Sequence, residues 1–326
     1  MKAIVYREFG PPEVLRCEEV AKPAPGKGEV LIRVHAAGLN PLDWKLMMGH
    51  PWPVRLAMGL RKVKRAGVDV AGTVEAVGEG VTDFRVGDAV FGLCKGALAE
   101  YACGRATALA RKPEGVSFEE AASAPVAGLT ALQGLRDKGW VRAGQKVLIN
   151  GAAGGVGTFA VQIAKHLGAE VTGVCSTGNV DAVLALGADR VIDYTHENVA
   201  EERGAYDVVL ECVGNLPVPA IRRALRPSGR CVMVGAKPDI SVMTILGNMF
   251  KLLVVVPFLR QKIVVVMAKG NQQDLRTIAE LLQSGRVRPV VERCYEMGEI
   301  TEAMRHLMAG HARGKLVVKI HSNCSC

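Results

Sequence analysis

Between Val147 and Leu167 the chain reads Val-Leu-Ile-Asn-Gly-Ala-Ala-Gly-Gly-Val-Gly-Thr-Phe-Ala-Val-Gln-Ile-Ala-Lys-His-Leu: an apolar run, a glycine-rich turn and a helical pattern in direct succession. These residue types at this spacing suit the holding of an anion. Glycines allow close backbone approach, and a helix start offers N–H groups that its own turns leave unpaired. Gly151 is expected to end a strand, Gly154 and Gly155 to bring backbone against a pyrophosphate, and Gly157 to let the helix lie against the sheet. A lone Gly-x-x-Gly-Gly-x-Gly run is weak evidence, but the context supports it. Val156, Ala160, Ile163, Ala164 and Leu167 mark one apolar helix face, and a second strand, Glu170–Cys175, follows at once. The implied ligand is a dinucleotide.

Which dinucleotide is expected follows from the tip of that second strand. An acid about 20 residues beyond the glycines usually binds the ribose 2′-OH of NAD. Here the strand ends Val174-Cys175-Ser176-Thr177-Gly178-Asn179 without a carboxylate, and Asp181 already falls in the next helix. Hydroxyls tolerate a 2′-phosphate that an acid would repel, so NADP(H) is expected.

The elements around the loop read in two styles. From Met1 to about Lys112, short alternating runs (Lys2–Tyr6, Glu29–Ala37, Asp69–Val77, Ala89–Leu93) are punctuated by Gly and Pro, as in a small barrel-like β domain. Ser117-Phe118-Glu119-Glu120 is a helix-capping signature, leading into helices Glu119–Ala124 and Leu129–Lys138. From Lys146 strands and helices alternate (strands Val147–Asn150, Val171–Cys175, Arg190–Ile192, Asp207–Glu211 and Arg230–Val234), which implies right-handed βαβ units and a doubly wound parallel sheet. The end of the chain returns to the first style, with helices Leu275–Ser284 and Glu302–Ala309 and strands Pro289–Tyr295 and Lys315–Ile320.

With 326 residues, 49% hydrophobic residues and a net charge of +9, the composition suits two soluble globular domains and excludes disordered and fibrous classes. Charges in Met1–Glu8 leave no apolar core for a signal peptide, so a cytoplasmic protein is expected. The most apolar stretch, Ile245–Met267, is interrupted by Lys251, Pro257, Arg260, Gln261 and Lys262, which makes it a poor transmembrane segment and a candidate for subunit pairing; a homodimer is expected. Nine scattered cysteines without a Cys-x-x-Cys pair indicate neither a disulfide scaffold nor a zinc cluster, and reduced thiols are expected. Arg55, Arg61, Lys62, Lys64 and Arg65 cluster, but with 5% aromatics and no nucleic-acid signature they read as a solvated loop or a rim attracting an anionic ligand, and no nucleic acid is expected as a partner.

A β-rich domain interrupted by a dinucleotide-binding domain resembles the medium-chain dehydrogenase/reductase superfamily across residues 1–320. The resemblance is carried by Ala37-Gly38-Leu39-Asn40-Pro41-Leu42-Asp43-Trp44-Lys45, Gly67-Val68-Asp69-Val70-Ala71-Gly72-Thr73-Val74, Val86-Gly87-Asp88-Ala89-Val90, the glycine loop and Gly310-His311-Ala312-Arg313-Gly314-Lys315. It is most similar to the zinc-free quinone oxidoreductase branch. The resemblance implies an α/β protein: a GroES-like β-rich domain over 1–124 completed by 268–320, a Rossmann doubly wound parallel sheet over 125–267, and a tail over 321–326.

Zinc-dependent members hold a catalytic ion with Cys and His, leaving one position open. Here Val68 stands in the His position and the Asn40–Asp43 segment in that of the first Cys. Pro125–Thr130 supplies no Cys, Asp or Glu, and of the structural zinc lobe only Cys94 and Cys103 remain. No metal site is therefore expected. The resemblance further implies that Ala153, Gly154, Gly155 and Val156 hold the pyrophosphate, Ser176 and Tyr194 face the 2′-phosphate, Cys212 meets the ribose, and Val264 meets the carboxamide through its backbone. His311, Ala312 and Arg313 are expected to close over the phosphate. Relatives often carry a basic residue near 178 or 179, where this chain has Gly178-Asn179, so discrimination against NADH is expected to be modest.

In the superfamily the loop equivalent to Asn40–Lys45 lies beside the nicotinamide. Asn40 is a candidate to bind a ribose hydroxyl or substrate carbonyl and Lys45 to stabilise an enolate oxygen, while Asp43 either joins the catalysis or orients its neighbours. The segment His50–Arg65, with Trp52, Leu56, Met58 and Leu60, reads as a lid over a small apolar carbonyl or quinone substrate, or as a plain surface excursion. The expected activity is zinc-independent, NADPH-dependent hydride transfer to a quinone or an activated C=C bond. A zinc-free carbonyl/alcohol oxidoreductase and a non-catalytic NADPH-binding interaction protein are the alternatives.

Overall fold

The computed structural model describes residues 1–49, 64–234 and 261–320. Strands β1 (Lys2–Tyr6), β2 (Arg16–Glu19) and β3 (Glu29–Gly38) precede helix α1 (Pro41–Met48). Then come β4 (Lys64–Arg65), β5 (Asp69–Val77), β6 (Ala89–Leu93), β7 (Tyr101–Arg105) and β8 (Leu109–Arg111). Helices α2 (Phe118–Ser123) and α3 (Pro125–Leu132) lead to β9 (Lys146–Asn150), α4 (Gly155–His166), β10 (Glu170–Cys175), α5 (Val180–Ala185), β11 (Arg190–Asp193), β12 (Tyr206–Glu211), α6 (Val218–Ala224), β13 (Leu225–Met233) and β14 (Lys262–Val265). Last come α7 (Gln272–Gln283), β15 (Val291–Glu296), α8 (Ile300–Ala309) and β16 (Lys315–Lys319).

The chain divides into two compact units, Met1–Leu129 with Lys269–Cys326, and Thr130–Ala268. In the first, strands run β15-β16-β3-β5-β6-β8, with β7 also on β3 and a separate sheet β2-β1-β4. Strand β3 pairs antiparallel with β5 along Val30–Gly38 and with β7 along Glu29–Arg33, which curls the sheet around a core that includes Ile4, Ile32, Val70, Leu98, Leu109 and Val318. Strand β16 lies antiparallel to β3, so the end of the chain completes this unit. Lys64 and Arg65, at the end of the segment read as a lid or a plain surface excursion, form β4 against Val5 and Tyr6; Trp52, Leu56, Met58 and Leu60 lie outside the described residues.

The second unit is a six-stranded parallel sheet in the order β11-β10-β9-β12-β13-β14. Order reverses between β9 and β12, the switch point outside which doubly wound sheets bind ligands at the carboxyl ends of their strands. Strand interiors are apolar on both faces, as burial between two helix layers requires: Val147, Leu148, Ile149, Val208, Val209 and Leu210 are all buried. The helix expected over Leu129–Lys138 differs from that reading. Helix α3 ends at Leu132, and Gln133–Gly139 widens into a π-helical turn closing on Trp140 at φ +55°.

Among the described cysteines Cys94, Cys103, Cys175, Cys212, Cys231 and Cys294 are free thiols, whereas Cys17 is disulfide-bonded, against the expectation of reduced thiols throughout; spacing along the chain carries no sign of that pairing. No described helix is long and apolar enough to cross a membrane.

Candidate functional site

The glycine loop joins β9 to α4 at the switch point of the parallel sheet. Gly151 turns the chain at φ +79°, and its N–H and that of Ala152 both donate to the Val174 carbonyl (3.1 and 3.0 Å), which fastens the loop to the end of β10. A side chain at Gly157 would strike the Gly151 carbonyl and the Ala152 backbone. The requirement for glycine there thus comes from the helix start folding onto its own loop, not from packing on the sheet. Helix α4 is capped by Gly154 and begins at Gly155, so the amides of Gly155, Val156 and Gly157 have no intrahelical carbonyl one turn back to bond. Ala153, Gly154, Gly155 and Val156 thus form a backbone cradle at a helix start, a geometry suited to an anionic group.

The base of this cradle carries a carboxylate the sequence reading did not single out. Glu211, fully buried at the end of β12, accepts from Asn150 Nδ2 at both oxygens (2.8 and 2.9 Å) and from the Val213 and Gly214 amides at Oε1 (2.9 and 2.7 Å). These bonds shape the turn that displays Cys212, whose thiol burial pushes up, with the Glu211 charge adding to the effect. The sequence shows an acid three residues before Gly214, but its partner Asn150 lies 61 residues away.

At the tip of β10, Ser176 Oγ accepts from Asn179 Nδ2 (3.0 Å), and Tyr194 is exposed, its amide donating to the Cys175 carbonyl (3.1 Å). The absence of an acid at this tip holds for β10 alone. Asp193, the last residue of β11, pairs with Cys175, and its Oδ1 accepts from the Thr195 amide and hydroxyl (3.0 and 2.7 Å). Hydrogen bonds from Thr177 and Thr195 hold the Asp193 carboxyl below its ordinary range. Val264 lies on the edge strand β14, paired with Val232.

In the first unit Asn40, Asp43 and Lys45 do not form a loop. Asn40 caps α1, Pro41 occupies its first turn, and Asp43 Oδ2 accepts from the Asn40 amide (2.7 Å), a capping box built on aspartate. Gly49, at φ +66°, ends the helix. Asn40 and Asp43 are buried with two residues the sequence reading left without a role, Asp69 and Lys315. Asn40 Nδ2 donates to Asp69 Oδ2 (2.8 Å); Lys315 Nζ donates to Asn40 Oδ1 (2.5 Å), the Leu39 carbonyl (2.9 Å) and Asp69 Oδ2 (3.4 Å). Asp69 Oδ1 accepts from the Val126 amide at the start of α3 (3.0 Å).

Asp43 Oδ1 is buried and without a hydrogen-bond partner. Burial pushes the Asp43 carboxyl up to about 7, against the Asn40 amide, with nearby Asp69 raising it further and Lys315 lowering it. Lys45 is half-buried, with Nζ 5.7 Å from the Trp44 ring, and burial holds its amine below the ordinary lysine value. His311 and Arg313 are exposed on the turn between Gly310 and Gly314, Ala312 packs against the core, and the Arg313 amide donates to Glu292 Oε2 (2.8 Å).

Among the described residues no group of three or more His, Cys, Asp or Glu is placed to hold a metal. Burial raises the thiols of both Cys94 and Cys103.

A sheet of this order bearing a glycine loop at its switch point, joined to a curled β unit completed by the chain's end, is the architecture of a nicotinamide-dependent oxidoreductase. Residues 26–129 match the alcohol dehydrogenase GroES-like domain family and residues 186–318 the zinc-binding dehydrogenase family. The chain is 35% identical to the chloroplastic quinone-oxidoreductase QR1 of Triphysaria versicolor, over 98% of each chain. It is 33% identical to the 2-methylene-furan-3-one reductase of Solanum lycopersicum, over 98% of this chain and 79% of that one. Among solved structures, a mycobacterial protein complexed with NADPH superposes with a TM-score of 0.80 at 28% identity, covering 98% of this chain and all of the other. The chain belongs to the medium-chain dehydrogenase/reductase superfamily, in its quinone oxidoreductase branch.

Proposed function

We propose that this chain is a zinc-independent, NADPH-dependent reductase acting on a quinone or an enone. The observation that carries the reading is the buried cluster of Asn40, Asp69 and Lys315. Where zinc-dependent relatives gather thiolate and imidazole, these residues and Val68 offer an amide, a carboxylate already bound to an ammonium, and an alkyl group. The fixed cation in that cluster is the Lys315 ammonium. When bound, the nicotinamide supplies a hydride; this chain's residues bind, orient and stabilise charge.

The α4 N-terminus and the Ala153–Val156 backbone would hold the pyrophosphate, with Ser176, Tyr194 and Arg313 taking the 2′-phosphate, Cys212 the ribose, Val264 the carboxamide, and His311 and Ala312 closing over the phosphate. Lys45 is the group proposed to stabilise the substrate oxygen as it gains charge, since a half-buried amine meets developing charge in a weaker dielectric than water. The similarity to a quinone-oxidoreductase and to a furanone reductase supports both acceptor classes. The test is a screen of enones, quinones and aldehydes with NADPH and NADH. Steady NADPH consumption with an enone or quinone is expected; saturable NADPH binding with no turnover on any acceptor would overturn the proposal.

A further inference from the structure

Lys315 is 3% exposed and Asp69 fully buried, positions at which charged groups are rarely found without a specific reason. Stability alone is a weak reason. Taking both charges out of water costs about as much as their attraction returns, and apolar replacements of similar volume are often neutral or stabilising. What the pair does fix is orientation. The Asn40 side chain lies between them, its carbonyl oxygen facing the ammonium and its NH₂ facing the carboxylate (2.5 and 2.8 Å). A flipped amide would set NH₂ against Nζ and oxygen against carboxylate, two repulsions in a dry site, so a single orientation survives.

The same pair reaches the ends of several elements. Lys315 opens β16 and also holds the Leu39 carbonyl just ahead of α1; Asp69 opens β5 and holds the Val126 amide at the start of α3. Asn40 then caps α1, and its amide is bound by Asp43 of the first turn, two residues before Lys45. Helix α1 is only eight residues long, too short to hold its own place by propensity. The chain of bonds Asp69–Asn40–Asp43, with Lys315 on both Leu39 and Asn40, therefore determines where this turn sits.

We infer that Lys315 and Asp69 are positioning residues of the reductase site: acting through Asn40, they lock the first turn of α1 and so place Lys45. The inference rests on the proposed role of Lys45 on the substrate side. Removing one partner would leave an uncompensated buried charge and endanger the fold, so the informative variant removes both charges, Asp69→Asn with Lys315→Met. This variant is expected to fold and to keep NADPH affinity within about twofold. Its kcat should fall about ten- to a hundred-fold with little change in KM, as displacement of a positioned group requires. Lys315→Arg alone, which keeps a cation with donors to spare, should recover part of kcat.

Hydrogen exchange of the α1 amides supplies a readout that needs no turnover, and exchange in the double variant should be faster than in the parent chain. Unchanged exchange would overturn the inference, whether or not the chain turns over any acceptor. So would wild-type kcat in a folded double variant, or loss of NADPH affinity parallel to loss of kcat. A parent chain inactive with every acceptor would defeat the proposed function alone, leaving the exchange measurement to decide the positioning role.

Discussion

Asn150 and Glu211 close the base of the glycine loop by facing one another across β9 and β12, where they stand in register and share two hydrogen bonds. The Asn150 side-chain amide and the backbone N–H groups of Val213 and Gly214 stabilise the Glu211 carboxylate. Replacing Asn150 with Leu leaves the carboxylate short of donors and should lower stability by about 1.5–3 kcal/mol, the range for hydrogen bonds to charged groups. NADPH affinity should fall as well, because the turn after β12 loses its anchor. Urea melts and cofactor titration check this; unaltered values in both would show the contact to be dispensable.

The Asp43 carboxyl sets a pH dependence. Held near 7 by burial against an ordinary 3.8, it keeps its proton in the folded chain at pH values where the unfolded chain has released it. Stability must then fall as pH rises through that window and level off above it, by up to about 1.4 kcal/mol per pH unit. The charged and titratable groups facing Asp43 are Asp69 on β5, Lys315 on β16 and Tyr6 on β1. Asp43→Asn keeps an oxygen for the Asn40 amide and should flatten the trend. Urea midpoints between pH 5 and 8 for both proteins test this, and parallel curves would refute it.

The glycine loop was legible because its signal is local: strand, turn and helix follow one another within 21 residues. Asn40, Pro41 and Asp43 spell a capped start for helix α1, but eight residues carry too little periodicity to distinguish it from a loop. Lys315 and Asp69 are 246 residues apart, and nothing in either neighbourhood announces the other. Asp193 shows the same effect on a smaller scale: it reaches the β10 tip through sheet pairing, whereas a count along the chain finds only Ser176 and Thr177 there.

Metal content follows from the donor set. With Val68 and the Asn40–Asp43 segment where the resemblance places ligands in zinc-dependent members, purified protein should contain no stoichiometric zinc, and turnover should survive chelators. Elemental analysis giving about one Zn²⁺ per chain, together with activity lost on chelation and restored by zinc, would contradict this.

Strand β14 leaves one side of the parallel sheet without a partner among the described strands, and Val265 and Met267 beside it are exposed. Of the two apolar runs expected to pair subunits, Ile263–Val266 includes most of this strand and Leu252–Val256 lies outside the described residues. An apolar edge invites pairing with a second copy, so a homodimer is expected. Val265→Lys should shift it toward monomer in sedimentation velocity; a parent chain monomeric at working concentrations would rule the interface out.

Cofactor choice tests the phosphate site directly. Arg313→Ala removes a charge-assisted contact proposed for the 2′-phosphate, and NADPH affinity should fall by about 1.5–3 kcal/mol while NADH affinity barely moves. Ser176→Asp sets a carboxylate beside that phosphate and should favour NADH, by repulsion as much as by a new ribose contact. Asp193 adds a third arm. Its carboxylate is tied to Thr195, and it places a negative charge beside the β10 tip. Asp193→Asn keeps an oxygen for the Thr195 amide and should raise the preference for NADPH, making this residue a reason for modest discrimination in the parent chain. Titrating both cofactors against the four proteins separates the cases: equal losses for NADH and NADPH in Arg313→Ala, or tighter NADH than NADPH binding in the parent, would mean that the 2′-phosphate is recognised elsewhere.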